Sequence, residues 1–169
     1  MPATPAGMFE RHHLAIYRYL LRMLGSRDRA EELTQDVFVH ALRGAGRYEE
    51  RAQERAWLFR IARNLRLDAL RRDRRTPAIM AIDPVDGVDA DQPRQPAQQA
   101  LQSSLREALA MLPDDEREAF VLAEVVGLSY VEIANACAAT PAAVRSRIYR
   151  ARMQLRAVLD VPTAGKPLV

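Results

Sequence analysis

Apolar residues recur every three to four positions along three stretches of the first half of the chain, which is the spacing of amphipathic helices. These stretches predict helices at about 8–24, 29–42 and 54–75. Either Ser26 or Asp28 is expected to cap the second helix, because each side chain can accept from a free amide of the first turn. The side chains expected to face a common core are Leu14, Tyr17, Leu20, Leu21, Leu24, Ala30, Leu33, Val37, Ala41, Leu58, Ile61, Ala62, Leu65 and Ala69.

Four further helices are predicted in the second half by the same period and by local start and stop signals. The first covers about 98–111, and Asp114 is expected to cap the second. Ser129 followed by Glu132 forms a capping box at the start of the third. Thr140 is suited to cap the last helix, which runs to about residue 159. Together the elements predict an all-α fold.

The predicted helices fall into two groups separated by a stretch of different composition. Residues 8–75 are expected to form a three-helix bundle, and residues 100–159 a four-helix unit. Residues 76–99 hold four prolines and four aspartates, and they show neither a helical nor a strand period. We therefore expect two small helical domains joined by a flexible acidic linker.

The last predicted helix, 140–159, carries five arginines and no acidic residue. With the short helix before it, it has the layout of a DNA-binding helix-turn-helix. A recognition helix places its N-terminal residues on base edges and later ones on phosphates. Arg145 and Ser146 are therefore the first candidates for reading bases, and Tyr149 is the next. The residues expected to divide between groove and backbone are Arg147, Arg150 and Arg152.

Two alternatives apply to this basic helix. The first is that the whole helix is a solvated amphipathic helix in an ordinary bundle. The second is that any single arginine on it contacts phosphates without reading bases. Five arginines in 20 residues, without a compensating acid on the same helix, favour nucleic-acid binding.

Charge is distributed unevenly along the chain. The net charge is only +3, and all but one of the 25 basic residues are arginine, the better bidentate ligand for phosphate and guanine. Residues 101–132 hold two arginines against seven acids, whereas the segments before the linker and after residue 140 are basic. Two basic segments around an acidic one suggest a polyanion held at two places.

The sequence offers little for catalysis. There is no glycine-rich phosphate loop, and the three histidines lack partners at metal-ligand spacing, so we expect no catalytic residue, metal or cofactor. The single cysteine, Cys137, excludes an internal disulfide and is expected to fill a core. Neither a membrane-length apolar run nor a signal pattern is present, which predicts a cytoplasmic protein without membrane insertion.

Two segments resemble a known family. AEELTQDVFVHAL and AWLFRIARNLRLDALRR resemble region 2 of the sigma-70 family of bacterial RNA polymerase sigma factors, in the extracytoplasmic-function (ECF) subfamily. The segment from ALAMLPDDEREAF to RSRIYRARMQL is similar to region 4 of the same class. The resemblance covers about residues 8–75 and 100–158.

This resemblance implies a transcription initiation factor rather than an enzyme. Its implied partners are core RNA polymerase (through the clamp coiled coil and the flap), promoter DNA and an anti-sigma factor. The second helix matches the surface that docks on the clamp coiled coil. Its implied contacts are Glu32, Gln35 and Asp36; without the resemblance, they would be read as a solvated helix face.

The resemblance also implies where promoter elements are read. The third helix and the loop before it match the minus-10 reader, with Arg60 and Asn64 at the DNA face, Arg63 beside them, and Tyr48 bordering a pocket for a flipped base. Tyr48 would otherwise close the core, and Asn64 would satisfy a backbone group. RSRIYRAR matches the minus-35 reader, and Tyr130 matches a backbone contact.

Two departures and two competing functions accompany this resemblance. Ala123 stands where the family commonly has arginine, and TPAAV replaces a glycine-threonine start of the recognition helix, so the promoter sequence is not transferred from relatives. One competitor is an autonomous helix-turn-helix regulator that binds duplex DNA as a dimer. The other is a sigma-like protein that sequesters a regulator without binding DNA, for which the arginine faces would be dispensable.

Overall fold

The structure is a computed structural model that describes residues 4–45, 53–73 and 95–159. Within these ranges the chain is helical and contains no strand, as predicted. The helices are α1 (Pro5–Leu24), α2 (Arg27–Gly44), α3 (Glu54–Asp73), α4 (Pro96–Ala110), α5 (Asp114–Phe120), α6 (Tyr130–Cys137) and α7 (Pro141–Leu159). A π-helical segment, Val121–Val126, continues α5. None of the described helices is both long and apolar enough to span a membrane.

Most predicted helix boundaries are confirmed by the capping geometry. The Ser26 hydroxyl, and not Asp28, accepts from the first turn of α2. The capping box of Ser129 and Glu132 is formed at α6 in both directions. The Thr140 hydroxyl accepts from the Ala143 amide at 3.1 Å and caps α7.

The predicted cap at Asp114 is wrong. Pro113 occupies the cap position of α5, and Asp114 is the first helical residue. Its carboxylate is engaged instead by the Arg66 guanidinium from α3, with two hydrogen bonds of 2.9 and 3.1 Å. A bidentate arginine contact thus takes the place of a local cap.

The two groups of helices share one hydrophobic core. Ile16 and Leu20 of α1 belong to the same buried cluster as Leu122 and as Ile133 of α6. A smaller cluster joins α4 to α7, and its buried members are Ala108, Leu109, Leu112, Ala151 and Leu155. The two units, residues 4–73 and 95–159, therefore pack against each other.

The predicted linker lies mostly outside the described residues. Residues 76–94 fall there, whereas residues 96–99, also placed in the linker, form the first turn of α4. Pro96 suits this start because the first helical residue has no amide partner to lose.

Two core assignments from the sequence differ in the structure. Leu14 is 44% exposed, because the buried stripe of α1 runs through Ile16 and Tyr19. In α3 the fully buried set includes Arg66, which interrupts an otherwise apolar inward face. Tyr19 and Arg66 meet at the boundary between the two units.

Candidate nucleic-acid interface

Helix α7 exposes its N-terminal polar residues and buries its apolar stripe. Val144 and Ile148 are buried in the shared core, which fixes the rotation of the helix about its axis. Arg145 and Ser146 are consequently exposed, and the Tyr149 side chain is 64% exposed. The three first candidates for reading bases thus lie together on one open surface.

The turn between α6 and α7 contains a strained alanine. Ala138 has φ of +50°, and it is exposed, whereas the neighbouring Ala139 packs against the core. The turn is held by an amide of Ala139 that donates to the Ala134 carbonyl at 3.0 Å. A left-handed backbone favours glycine, because the alanine Cβ approaches the following carbonyl.

Ala138→Gly is therefore expected to raise the free energy of unfolding by about 1 kcal/mol. Urea denaturation followed by circular dichroism measures this change. Ala139→Gly is the matched control and should destabilise the protein, because its methyl group packs and its φ is not in the left-handed region. Equal destabilisation by both substitutions would contradict the strain argument.

The later arginines of α7 are paired with acids from α5 and from the π-helical segment. Arg150 Nε donates to Glu116 Oε1 at 2.8 Å, and Arg147 Nε lies 3.5 Å from Asp115 Oδ2. Arg152 pairs with Glu124, and this hydrogen bond raises the Arg152 pKa. These three arginines, which have no acid on their own helix, are therefore compensated by carboxylates from earlier in the chain.

Glu116 also fixes the position of the recognition helix. Glu116 is 7% exposed, and its carboxylate accepts hydrogen bonds from both Arg150 and Gln154, which are one turn apart on α7. By contrast, Arg145 is exposed, and the ion pairs found among the described residues do not include it. Arg145 is thus available to an external ligand.

Helix α6 supplies the other parts of the helix-turn-helix. Tyr130 is its first residue and is half-buried against the core. Ala123 is likewise half-buried and packed, so this position offers an apolar contact where relatives were expected to carry an arginine.

The predicted minus-10 residues of α3 differ in their surroundings. Arg60 donates to the Asn135 carbonyl of α6 at 2.6 Å, and Arg63 Nε donates to Glu118 Oε2 at 3.0 Å. Asn64 is exposed. Tyr48, predicted to border a base pocket, lies outside the described residues. Two of the three described residues thus face the second unit.

A buried polar cluster between the units was missed by the sequence analysis. Arg66 and Glu118 are each 1% exposed, and Arg66 Nη2 donates to Glu118 Oε1 at 3.0 Å. The Tyr19 hydroxyl donates to the same oxygen at 2.6 Å and accepts from Arg66 Nε at 3.1 Å. Burial raises the pKa of Tyr19 well above its ordinary value, and the Glu118 charge adds to the shift. An arginine on the inward stripe of α3 was the available signal.

Acid is expected to weaken the contact between the units. Burial alone would raise the pKa of Asp114 and of Glu132. The hydrogen bond from Arg66 to Asp114 and that from Arg55 to Glu132 have the opposite and larger effect, so each pKa lies below its ordinary value. A depressed folded-state pKa means that the stabilisation is present above the unfolded-state pKa and is lost as pH falls through the folded-state value.

We therefore expect the free energy of unfolding to fall as pH is lowered from about 5 to about 3. Chemical denaturation at several pH values measures the slope. Asp114→Asn should make the slope shallower, since one titrating group is removed. A slope unchanged by this substitution would contradict the assignment.

Helix α2 presents the predicted polymerase-docking residues to solvent. Glu32, Gln35 and Asp36 are all exposed on one face of the helix. The C-terminal part of α2 also borders an apolar groove of about 330 Å³, lined in part by Phe9 of α1 and by Leu42. An exposed apolar groove of this kind is a common feature of protein-binding faces.

Comparison with known proteins identifies both units. The family model of Sigma-70 region 2 matches residues 8–76, and that of Sigma-70, region 4 matches residues 102–155. SigE of Mycolicibacterium smegmatis, an ECF RNA polymerase sigma factor, is 37% identical over 88% of this chain, which spans 59% of that protein. The RNA polymerase sigma factor CarQ of Myxococcus xanthus is 34% identical over 90% of this chain and 87% of its own length.

Solved structures agree with this assignment. The sigma factor RpoE of Bartonella quintana, in complex with the anti-sigma factor NepR, aligns with a TM-score of 0.74 and 30% identity, over 91% of this chain and 95% of that one. CnrH, in complex with the cytosolic domain of CnrY, aligns with a TM-score of 0.71 and 27% identity, over 94% and 89% of the two chains. The chain therefore belongs to the extracytoplasmic-function subfamily of the sigma-70 family, the transcription initiation factors that direct core RNA polymerase to promoters.

Proposed function

We propose that this chain directs core RNA polymerase by reading two promoter elements with two separate helical surfaces. The observation that carries the proposal is the helix-turn-helix of α6 and α7, whose N-terminal polar residues are exposed while its later arginines are held by carboxylates. Residues 100–159 read the minus-35 element, residues 8–75 read the minus-10 element, and residues 76–99 connect them.

The minus-35 surface lies on the N-terminal half of α7. Arg145, Ser146 and Tyr149 contact base edges, because all three are exposed and lie in the N-terminal half of the helix. Tyr130 contacts the DNA backbone from the start of α6. The three paired arginines, Arg147, Arg150 and Arg152, would contact phosphates by exchanging a carboxylate partner for a phosphate oxygen.

The minus-10 surface lies on α3 and on the loop before it. Arg63 and Asn64 follow Arg60 by three and four residues, so the three side chains occupy one side of the helix. We assign Asn64 to base contacts and the two arginines to the strand backbone. Tyr48 would stack on an extruded base, which is the use of an aromatic side chain in single-strand binding.

The polymerase-binding surface lies on α2. Glu32, Gln35 and Asp36 are exposed, and their side chains stay available while the two units are packed together. The adjacent apolar groove at Phe9 and Leu42 adds the hydrophobic area that such an interface uses. We place the clamp coiled coil of core polymerase on this face and the flap on the second unit.

An anti-sigma factor is the proposed regulator. RpoE and CnrH, the two structural relatives, were each solved in complex with a partner, NepR and the cytosolic domain of CnrY, and NepR is an anti-sigma factor. We further propose that the protein acts in the cytoplasm and performs no catalysis of its own. The chemistry of transcription then stays with the polymerase.

Run-off transcription tests this function. Purified core polymerase is assayed on genomic promoter fragments with and without the chain. The proposal predicts fragments that yield a transcript only when both proteins are present. No chain-dependent initiation on any fragment, together with tight duplex binding by the chain alone, would favour an autonomous helix-turn-helix regulator instead.

A further inference from the structure

Two carboxylates on the surface of the second unit pair with arginines of the recognition helix. Asp115 of α5 lies 3.5 Å from Arg147, and Glu124 of the π-helical segment pairs with Arg152. Both acids come from outside α7, because residues 140–159 contain no acid. The two pairs therefore place negative charge beside arginines that are predicted to contact phosphates.

Both ion pairs are accessible from outside the protein. The Asp115 and Glu124 side chains are 52% and 41% exposed, and the Arg152 side chain is 47% exposed. The Arg152 guanidinium is also hydrogen-bonded to Tyr130, which is predicted to contact the DNA backbone. Exposed ion pairs of this kind contribute little to stability. Their charges therefore act mainly on molecules that approach the helix.

The acid of the third pair has a different role. Glu116 is buried and accepts hydrogen bonds from Arg150 and Gln154, so it fixes the position of α7. The charges of Asp115 and Glu124 can be removed with less change to the fold. Asp115→Asn keeps the oxygen that accepts from the Glu116 amide at 2.9 Å, and Glu124→Gln keeps the length of the side chain.

A carboxylate and a phosphate compete for the same guanidinium. Arginine offers its donors to both groups with the same fork geometry. Binding of duplex DNA is driven largely by the counterions released when cationic side chains neutralise phosphates. An arginine that already has a carboxylate partner neutralises a phosphate less completely, because the carboxylate stays nearby and repels the phosphate. Carboxylates at this surface therefore lower the affinity for the DNA backbone.

We propose that Asp115 and Glu124 are built-in counterions of α7 that weaken its binding to DNA of any sequence. This inference rests on the proposed minus-35 role of α7. Arg145 is exposed and belongs to neither pair, so the proposed base contact is not penalised. Sequence-independent binding depends on phosphate contacts alone and carries the whole penalty. The free chain thus stays available to core polymerase in the presence of bulk DNA.

The penalty is offset once the chain is part of a polymerase complex. A complex that already holds DNA at one surface presents the same duplex to a second surface at a high effective concentration. Helix α7 then binds its element as an intramolecular step, so a modest loss of phosphate affinity is tolerated. The free chain has no such advantage. The two acids thus favour promoter DNA within the polymerase complex over DNA met by the chain alone.

Fluorescence anisotropy with a labelled duplex of scrambled sequence tests the proposal in the full chain. Asp115→Asn with Glu124→Gln is compared with the unaltered chain over about 50–200 mM salt. Each restored phosphate contact adds about 0.9 to the slope of log affinity against log salt, so the double variant is expected to steepen the slope by about 0.9–1.8. The same contacts correspond to an affinity about 8- to 60-fold higher at about 0.1 M salt.

Two controls accompany the double variant. Glu10→Gln with Glu31→Gln removes the same charge from exposed positions on α1 and α2 and should leave affinity and slope nearly unchanged. Adding Arg147→Gln and Arg152→Gln to the double variant should abolish the gain, because the released arginines are then absent. Circular dichroism must show the same helical content for every variant.

The outcomes separate this proposal from the proposed function. Unchanged affinity and slope in the double variant would overturn the counterion role, and so would an equal gain in the charge-matched control. A gain that persists without Arg147 and Arg152 would overturn it as well. The minus-35 role is judged separately by run-off transcription with the unaltered chain. Absence of initiation there would overturn the proposed function, whatever the affinity of the variants for the scrambled duplex.

Discussion

Replacing Arg66 by methionine is expected to lower the free energy of unfolding by about 3–5 kcal/mol, the cost of removing one partner from a buried ion pair. Arg66 is 1% exposed and donates to Tyr19, Asp114 and Glu118. Methionine has a similar length, so the change removes these hydrogen bonds and the charge more than it removes volume. Glu118 would keep Arg63 and Tyr19 but would lose its closest buried cation.

Urea denaturation of Arg66→Met measures this loss. Arg71→Met is the matched control on the same helix, because the Arg71 side chain is 72% exposed and its ion-pair partner among the described residues is Asp68, one turn away. Such a surface pair contributes at most about 1 kcal/mol. A loss of similar size for both variants would show that the buried cluster does not hold the two units together.

Replacing Arg145 by alanine is expected to reduce initiation at a promoter that depends on its minus-35 element by about 5- to 150-fold. This range corresponds to the loss of about 1–3 kcal/mol for one bidentate base contact. Arg145 is exposed at the second turn of α7, and none of the carboxylates that hold the later arginines pairs with it. Its side chain is therefore available for a contact with DNA.

Run-off transcription on paired templates, with the minus-35 element intact or scrambled, measures the effect. Arg156→Ala is the matched control, since Arg156 is exposed on the last turn of the same helix and away from the proposed base-reading end. It should change transcription from both templates alike and only slightly. Equal losses for the two variants would indicate that α7 supplies general positive charge and not sequence recognition.

Local signals in the sequence predicted the helices well. The capping box at Ser129 and the cap at Thr140 each act within a few residues, so they can be read without knowing the fold. Asp114 was predicted wrongly for the opposite reason. Its partner, Arg66, is 48 residues away in sequence, and no local rule anticipates that pairing.

The surroundings of the candidate site were harder to predict for the same reason. The basic character of α7 was evident, but its compensation by Asp115, Glu116 and Glu124 depends on how α5 packs against it. The residue pattern of a single helix contains no information about acids on neighbouring helices, so those arginines are predicted to be unpaired. Exposure of Arg145 and Ser146 follows from the buried positions of Val144 and Ile148, which the helical period does predict.

The contact between the two units could not be predicted from the sequence at all. Tyr19 and Arg66 belong to the first unit, and Glu118 belongs to the second, yet they form one hydrogen-bonded cluster. The acidic composition of residues 101–132 hinted at a basic partner, and the chain supplies that partner itself. A basic segment that pairs with acids of the same chain has the same sequence pattern as a basic segment that binds a nucleic acid.

The most direct test of the central claim, that two separate surfaces read two promoter elements, is run-off transcription by Arg145→Ala and Asn64→Ala on templates with either element altered. The account predicts that Arg145→Ala removes the dependence on the minus-35 element and preserves that on the minus-10 element, whereas Asn64→Ala does the reverse. Circular dichroism must show both variants folded. Equal sensitivity of each variant to both elements would contradict the claim.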